Sequence, residues 1–149
     1  MKKRILTLLC ILVLLLSGGC EKEENKDIVE NKQVITFENR VKTSDIWILP
    51  QTEKILKTSA WGKATIPGME KGGSVELSLD ELGGPGVYVI RIIDDDHACF
   101  AMNDVPLNEN CSIIFLTEGN HLDARIEIRN ETGELLKEGP VFEGMLGGR

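Results

Sequence analysis

An all-β sandwich of about seven or eight short strands is the fold that the sequence predicts for residues 33–138. Short runs of Val, Ile, Leu and aromatic residues recur there, and Gly, Pro, Asn and Asp separate them. No amphipathic segment of the length needed for a helical crossover interrupts this pattern. Strands joined by short turns favour two packed antiparallel sheets over an alternating α/β fold.

The first strands are predicted at 34–37 and 46–49, where apolar residues cluster before the turn residues Asn39 and Pro50. The segment 51–59 is expected to form one or two helical turns. Gly and Pro residues after this segment mark further turns and bring the chain back to an extended conformation.

The central strands are indicated by their patterns of apolar residues. Residues 75–79 alternate apolar and polar side chains, which places one face in the core and the other in water. Residues 87–93 are apolar on both sides, as is typical of a central strand.

The acidic run Asp94-Asp95-Asp96 then marks a hairpin tip, because Asp tolerates turn geometry and hydrogen-bonds its own backbone. Later strands are predicted at 98–105, 111–117 and 124–129 and from Leu135-Leu136 onward, before a frayed, Gly-rich tail at 139–149.

The start of the chain has the three-part layout of a secretory signal peptide. A basic start at 2–4 is followed by an apolar run at 5–16 and by small residues at 17–19, just before Cys20. The apolar run is too short for a stable membrane span, which needs about 20 apolar residues. The sequence therefore predicts export and removal of residues 1–19.

The run Leu16-Ser17-Gly18-Gly19-Cys20 resembles a bacterial lipobox, with the aliphatic residue one position further from the cysteine than usual. The resemblance implies that the Cys20 thiol is diacylated, with chains such as palmitate, and becomes the new N-terminus. Two or more acyl chains hold a protein firmly, since each buried CH₂ contributes about 0.8 kcal/mol. The alternative is an ordinary signal peptide cut nearby, which leaves Cys20 unmodified.

The polar residues that follow Cys20 and the overall charge both bear on partners. Residues 20–32 offer little to bury, so they are predicted to be a flexible tether between lipid and domain. The chain has a formal net charge of −7, and its first acidic residue is Glu21. An acidic exported part opposes nucleic acid as a partner, because phosphate backbones require basic patches.

Several segments carry a second resemblance: Ile35-Thr36-Phe37-Glu38-Asn39, Ile46-Trp47-Ile48, Trp61-Gly62, Gly73-Ser74-Val75 and Tyr88-Val89-Ile90-Arg91-Ile92-Ile93-Asp94-Asp95-Asp96. Together they resemble a group of small bacterial extracytoplasmic domains. The resemblance implies an antiparallel immunoglobulin-like β-sandwich on the outer face of the cell membrane, without an assigned catalytic activity. The chain departs from the group at Val89, where an acid is usual, and at His97-Ala98, where a glycine is usual.

Cys99 and Cys111 are the candidate disulfide, because an exported protein meets an oxidising environment. The two residues lie on neighbouring predicted strands or at a strand end, and a bridge there would contribute about 3 kcal/mol. The alternative is a pair of reduced, buried cysteines, since the required Cα separation does not follow from sequence.

Two further candidates are the acidic run and an isolated tryptophan. Asp94, Asp95 and Asp96 are candidate calcium ligands, because Ca²⁺ prefers carboxylate oxygens, but a solvated hairpin tip accounts for them as well. Trp61 is a candidate ligand platform, and the alternative is a plug at one end of the sandwich.

Taken together, the sequence predicts a non-catalytic binding or structural module, held by lipid at the cell surface, that contacts a protein or glycan through its loops. The chain has no Gly-x-Ser-x-Gly motif and no ligand-spaced histidines, so neither an enzymatic activity nor a cofactor is expected. The alternatives are an accessory or catalytic component of a cell-envelope enzyme system and a calcium-responsive module built on the hairpin tip.

Overall fold

The structure, a computed structural model, describes residues 32–140 and 142–145. Outside the described residues lie the predicted leader at 1–19, Cys20, the predicted linker as far as residue 31, residue 141 and the segment 146–149.

Ten strands occur in the described residues. In chain order they are β1 (Val34–Asn39), β2 (Ser44–Pro50), β3 (Ile66–Met69), β4 (Ser74–Ser78), β5 (Gly86–Asp94), β6 (Ala98–Leu107), β7 (Cys111–Leu116), β8 (Arg125–Asn130), β9 (Leu135–Pro140) and β10 (Phe142–Met145). Between them lie two short helices, α1 (Glu53–Lys57) and α2 (Leu79–Leu82), and a 3₁₀ turn at His121–Asp123.

The strands form two five-stranded sheets. The first sheet has the order β4-β1-β7-β8-β9, and the second has the order β10-β6-β5-β2-β3. Neighbouring strands are antiparallel except for β1 and β7, which run parallel with Ile35 opposite Cys111. The long β5–β6 hairpin forms the centre of the second sheet and supplies several residues of the site described below.

The core lies between the inner faces of the two sheets. Phe100 of β6 and Phe115 of β7 meet edge to face there, with ring centroids 5.0 Å apart, and so join one sheet to the other. Both rings are fully buried, and aromatic pairs in this geometry add to the large apolar area that they remove from water. The other large, fully buried side chains are Tyr88, Phe37, Ile35, Ile46, Ile48, Leu79, Ile90, Ile92, Leu107 and Ile113.

The prediction of an all-β sandwich is confirmed, but the described residues contain more strands than predicted and one parallel pair. Strands β3 and β10 are missing from the prediction, because the Pro and Gly residues of β3 and the glycines around β10 have low intrinsic strand preference. The predicted domain boundary at residue 138 falls within β9. Strand pairing continues beyond it, since β10 pairs with β6 and places Phe142 opposite Phe100.

Candidate ligand-binding pocket

Part of the outer face of the second sheet, which is turned away from the sandwich interior, is buried. Ile46 and Ile48 of β2 belong to the core, so the alternation of side chains turns Trp47 outward between them. On β5 the same alternation turns Val89 and Arg91 outward. All three are nevertheless largely buried, with exposed fractions of 9% for Trp47, 0% for Val89 and 5% for Arg91. Another part of the chain therefore covers this face.

The cover is the β2–β3 segment, residues 51–65. It contains α1, which confirms the helical turns predicted there, and the Thr52 hydroxyl caps α1 by accepting the backbone N–H of Ile55 at 3.2 Å. Its far end is attached to β2, because the Thr65 hydroxyl accepts the backbone N–H of Ile48 at 3.0 Å. Its near end is held by the backbone N–H of Gln51, which donates to the Val87 carbonyl of β5 at 2.8 Å, so the segment is attached to the sheet at both ends.

Two tryptophans join this cover to the sheet. Trp61 of the β2–β3 segment packs edge to face on Trp47 of β2, with ring centroids 5.6 Å apart and an interplanar angle of 67°. The Trp61 indole N–H donates to the Thr58 carbonyl at 2.8 Å, and the Trp47 indole N–H donates to the Gly62 carbonyl at 3.1 Å. Trp61 therefore lies against the face of the second sheet, whereas the plug interpretation places it at an end of the sandwich.

A cavity of about 690 Å³ opens beside the two indole rings, and we call it the tryptophan pocket. Its walls include Trp47 and Trp61, Arg91 and Cys99 of the β5–β6 hairpin, and Glu143 of β10. This volume lies within the range of about 300–1,000 Å³ that is usual for small-molecule sites. The mixture of aromatic walls with a few charged groups is also typical of such sites.

Arg91 is the most unusual residue of the tryptophan pocket. Its guanidinium carbon lies 5.7 Å from the centroid of the Trp61 ring, in cation–π geometry. Its Nη1 atom donates to the Asn103 side-chain oxygen at 2.9 Å and to the Ile90 carbonyl at 3.2 Å. Across residues 32–140 and 142–145, no carboxylate forms an ion pair with it. A buried cation with only neutral acceptors is costly, since buried charges are normally paired.

Cys99 lies at the wall of the tryptophan pocket, with its sulfur 4.0 Å from a carboxylate oxygen of Glu143. Burial raises the pKa of the Cys99 thiol, and Glu143 raises it further, although Arg91 acts in the opposite direction. The thiol is therefore protonated at neutral pH and is a poor nucleophile.

In the structure the thiols of Cys99 and Cys111 are both free, which is the state that the alternative of two reduced, buried cysteines describes. Cys99 faces outward from the second sheet, whereas Cys111 belongs to the core between the sheets, where burial raises its pKa to about 11. The two side chains thus belong to different sheets, with Cys99 on an outer face and Cys111 in the core.

The acidic run forms the β5–β6 turn, which confirms the predicted hairpin tip. Asp94 is buried, and one of its carboxylate oxygens accepts two backbone N–H groups of the turn at 3.0 and 2.8 Å. Lys42 donates to the Asp96 carboxylate and lies 3.8 Å from that of Asp95. His121 approaches the same turn, with its Nε2 atom 3.5 Å from the Asp96 carboxylate.

The acids of this turn are occupied by contacts within the chain. The hydrogen bond from Lys42 holds the pKa of Asp96 below its ordinary value. In the part of the chain that the structure describes, no group of three or more His, Cys, Asp or Glu side chains is arranged to hold a metal ion. The tip is separate from the tryptophan pocket, so the candidate residues do not converge on one site.

Sequence reasoning found Trp61 but missed Arg91, Glu143 and the role of Trp47. One signal for Arg91 is present in the sequence: it is the single charged residue in the otherwise apolar run 87–93. Nothing local identifies Glu143, because its place at the pocket depends on the pairing of β10 with β6.

No family model matches this chain, no curated protein matches it, and no solved structure matches it. Within the described residues, none of the helices has the length and apolar character that crossing a membrane requires.

Proposed function

We propose that this chain is a bacterial lipoprotein, anchored through Cys20 to the extracytoplasmic face of the cell membrane, whose sandwich is a non-catalytic ligand-binding module. The tryptophan pocket is its binding site. The observation that carries the binding role is Arg91, a buried cation without a carboxylate partner among the described residues, at the wall of a cavity of about 690 Å³.

The anchor is supported by the sequence alone. The basic start, the apolar run at 5–16 and the small residues at 17–19 have the layout of a secretory signal peptide, and Cys20 ends a run that resembles a lipobox. The polar residues after Cys20 provide a tether that separates the domain from the bilayer.

An immunoglobulin-like fold is the finer description that we propose for the sandwich. Two facing sheets of short strands support it, and so does the way the chain crosses between them. The chain passes from β1 in the first sheet to β2 and β3 in the second and then returns to β4 in the first. Connections of this kind, rather than simple hairpins alone, are typical of immunoglobulin-like domains.

The groups in the tryptophan pocket support binding rather than catalysis. The Arg91 guanidinium offers hydrogen-bond donors and no acceptor, and burial raises the pKa of the Cys99 thiol. Neither group is suited to proton transfer or nucleophilic attack near neutral pH. The pocket therefore offers contacts to a ligand, with a cation and two indole rings to orient it.

The anchor is tested by replacing Cys20 with Ser and fractionating cells fed with labelled palmitate. We expect the wild-type chain in the membrane fraction with label, and the Cys20→Ser chain without label and released from the membrane. Cys99→Ser is the matched control and should keep both label and membrane retention. Unchanged retention and labelling of the Cys20→Ser chain would contradict the anchor.

The binding role is tested by the intrinsic fluorescence of the protein, which reports on the pocket because the two tryptophans of the chain both line it. A panel of small organic ligands should include members that change the emission saturably. Trp61→Ala should remove that response although Trp47 still emits. A panel without any saturable response would count against a binding function for this pocket.

A further inference from the structure

We infer that the tryptophan pocket recognises a small organic anion in which one carboxylate is joined to an aromatic or aliphatic body. This inference rests on the proposed binding function and names the class of ligand. The observations that carry it are the unused donors of Arg91, the two indole walls and the position of Glu143.

The guanidinium of Arg91 has donors left for a ligand. Among the described residues, only its Nη1 atom forms hydrogen bonds, so Nε and Nη2 are unused. Among the described residues, Asp94 Oδ2 is the one fully enclosed side-chain polar atom that has no hydrogen-bond partner. The unused Arg91 donors are not in that class, so they are not sealed inside the protein. Since Arg91 also lines the cavity, its unused donors are accessible from there.

A carboxylate is the group that best complements these donors. It accepts two parallel hydrogen bonds from a guanidinium, and charge-assisted bonds of this type are about twice as strong as neutral ones. Arg91 is 5% exposed, so the pairing would form in surroundings with little water, where the attraction is screened less. Binding would also give the buried cation the counterion that the described chain does not supply.

The tryptophan walls select the rest of the ligand. Trp47 and Trp61 present ring surface to the cavity, and their indole N–H groups are already bonded to backbone carbonyls. The rings therefore offer an apolar surface to the ligand rather than hydrogen bonds. An aromatic or aliphatic body next to the carboxylate would bury itself against them.

Glu143 limits how much negative charge the ligand can carry. Its side chain lines the same cavity, is exposed and forms no ion pair with Arg91. A second negative group on the ligand would be repelled by this carboxylate, because like charges at short range oppose binding. The pocket is thus suited to a single carboxylate near Arg91.

The experiment compares three probes with one body and different head groups: 4-phenylbutyrate, 4-phenylbutanamide and 4-phenylbutylamine. Each is titrated into the full-length protein in lipid nanodiscs while tryptophan emission is recorded. We expect a saturable change with 4-phenylbutyrate, and at least about tenfold weaker binding of the amide and the amine.

Variants locate the recognition on particular residues. Arg91→Gln should weaken 4-phenylbutyrate binding at least about tenfold and remove the preference for it over the amide. Arg40→Gln is the matched control at an exposed arginine that pairs with Glu38, and it should bind as the wild type does. Glu143→Gln should bind 4-phenylbutyrate more tightly than the wild type, because it removes a repulsive charge.

Two results would overturn the inference, and they differ in what they mean for the proposed function. If all three probes bind equally and Trp61→Ala abolishes binding, the pocket binds ligands but does not recognise a carboxylate. If no probe changes the emission at millimolar concentration, the ligand class is wrong and the panel described above then decides whether the pocket binds at all. Because the probe series is run on wild-type protein, the test does not depend on the folding of any variant.

Discussion

The outer faces of the two sheets each contain a buried charge, but the charge has ionic partners on the first sheet and neutral partners, among the described residues, on the second. On the first sheet Glu127 of β8 is 7% exposed and lies between two arginines of its own strand. Its carboxylate oxygens lie 3.1 Å from Arg125 Nη2 and 2.7 Å from Arg129 Nη2. On the second sheet Arg91 is equally buried, yet its partners within the described residues are the neutral Asn103 and Ile90 acceptors and the Trp61 ring.

The difference shows what the fold requires and what it does not. A sandwich can place a charge on an outer face and neutralise it with neighbours on the same strand, as Glu127 shows. On the second sheet, by contrast, the β2–β3 segment covers part of the outer face, and Arg91 lies beside a cavity. Since an unpaired buried charge is unfavourable for stability, its presence points to a role outside folding.

Of the variants that test this comparison, Trp47→Ala should lower the free energy of unfolding most, because it removes the contact between the second sheet and the β2–β3 segment. We expect a loss of about 3 kcal/mol or more in the free energy of unfolding, as for other buried aromatic residues changed to Ala. Urea unfolding followed by circular dichroism measures it. Leu56→Ala, at an exposed apolar residue of α1, is the control and should lose less than about 1 kcal/mol. Equal losses in both variants would contradict a packed cover.

Glu127→Gln tests the neutralised charge of the first sheet. Burial raises the pKa of Glu127, but hydrogen bonds from Arg129 and Arg125 outweigh burial and hold the pKa below its ordinary value. A folded pKa below the unfolded one contributes stability above the unfolded pKa, and that contribution is lost as the pH falls through the folded pKa. We expect Glu127→Gln to lose about 1–2 kcal/mol at pH 7, and the difference from wild type to shrink as the pH falls below about 4.

The measurement is urea unfolding over a series of pH values. Glu70→Gln, at an exposed glutamate, serves as the control and should follow the wild-type curve at every pH. A difference between Glu127→Gln and wild type that grew as the pH fell would show that the arginines do not stabilise the carboxylate.

Arg91→Met should change stability by less than about 1 kcal/mol. The substitution keeps most of the apolar volume of the side chain and removes a buried charge that has no ionic partner in the described residues. Urea unfolding at pH 7 compares it directly with Glu127→Gln. A loss of 3 kcal/mol or more would indicate that Arg91 has a structural role and would remove the contrast between the two faces.

The rate of thiol labelling should distinguish the outer face of the second sheet from the core while leaving the structure intact. Cys99 at the pocket wall is expected to react faster with iodoacetamide than Cys111 in the core, whose pKa is about 11. Both rates should rise with pH, because the thiolate is the reacting species. Mass spectrometry of peptides after timed labelling measures each site. Recovery of a bridged Cys99–Cys111 peptide without labelling would contradict two free thiols.

Local patterns in the sequence account for much of the fold. Alternation along the strands identified which side chains enter the core, and turn residues located the hairpin tip at Asp94. The helical turns before Trp61 were also predictable, because Thr52 and the residues after it provide a cap and a short helix. These features depend on residues close together in the chain, so periodicity and turn chemistry are sufficient to predict them.

By itself, then, the sequence determined the all-β class, the main strands and the candidate tryptophan. The tertiary structure alone decided that β1 and β7 run parallel, that β10 completes the second sheet, and that Cys99 and Cys111 belong to different sheets. It also decided that the Arg91 guanidinium lies over the Trp61 ring at the wall of a cavity. Each of these depends on which distant segments pair and on the face that each side chain then occupies, and pairing between distant segments is set by the packing of the whole chain rather than by local preference.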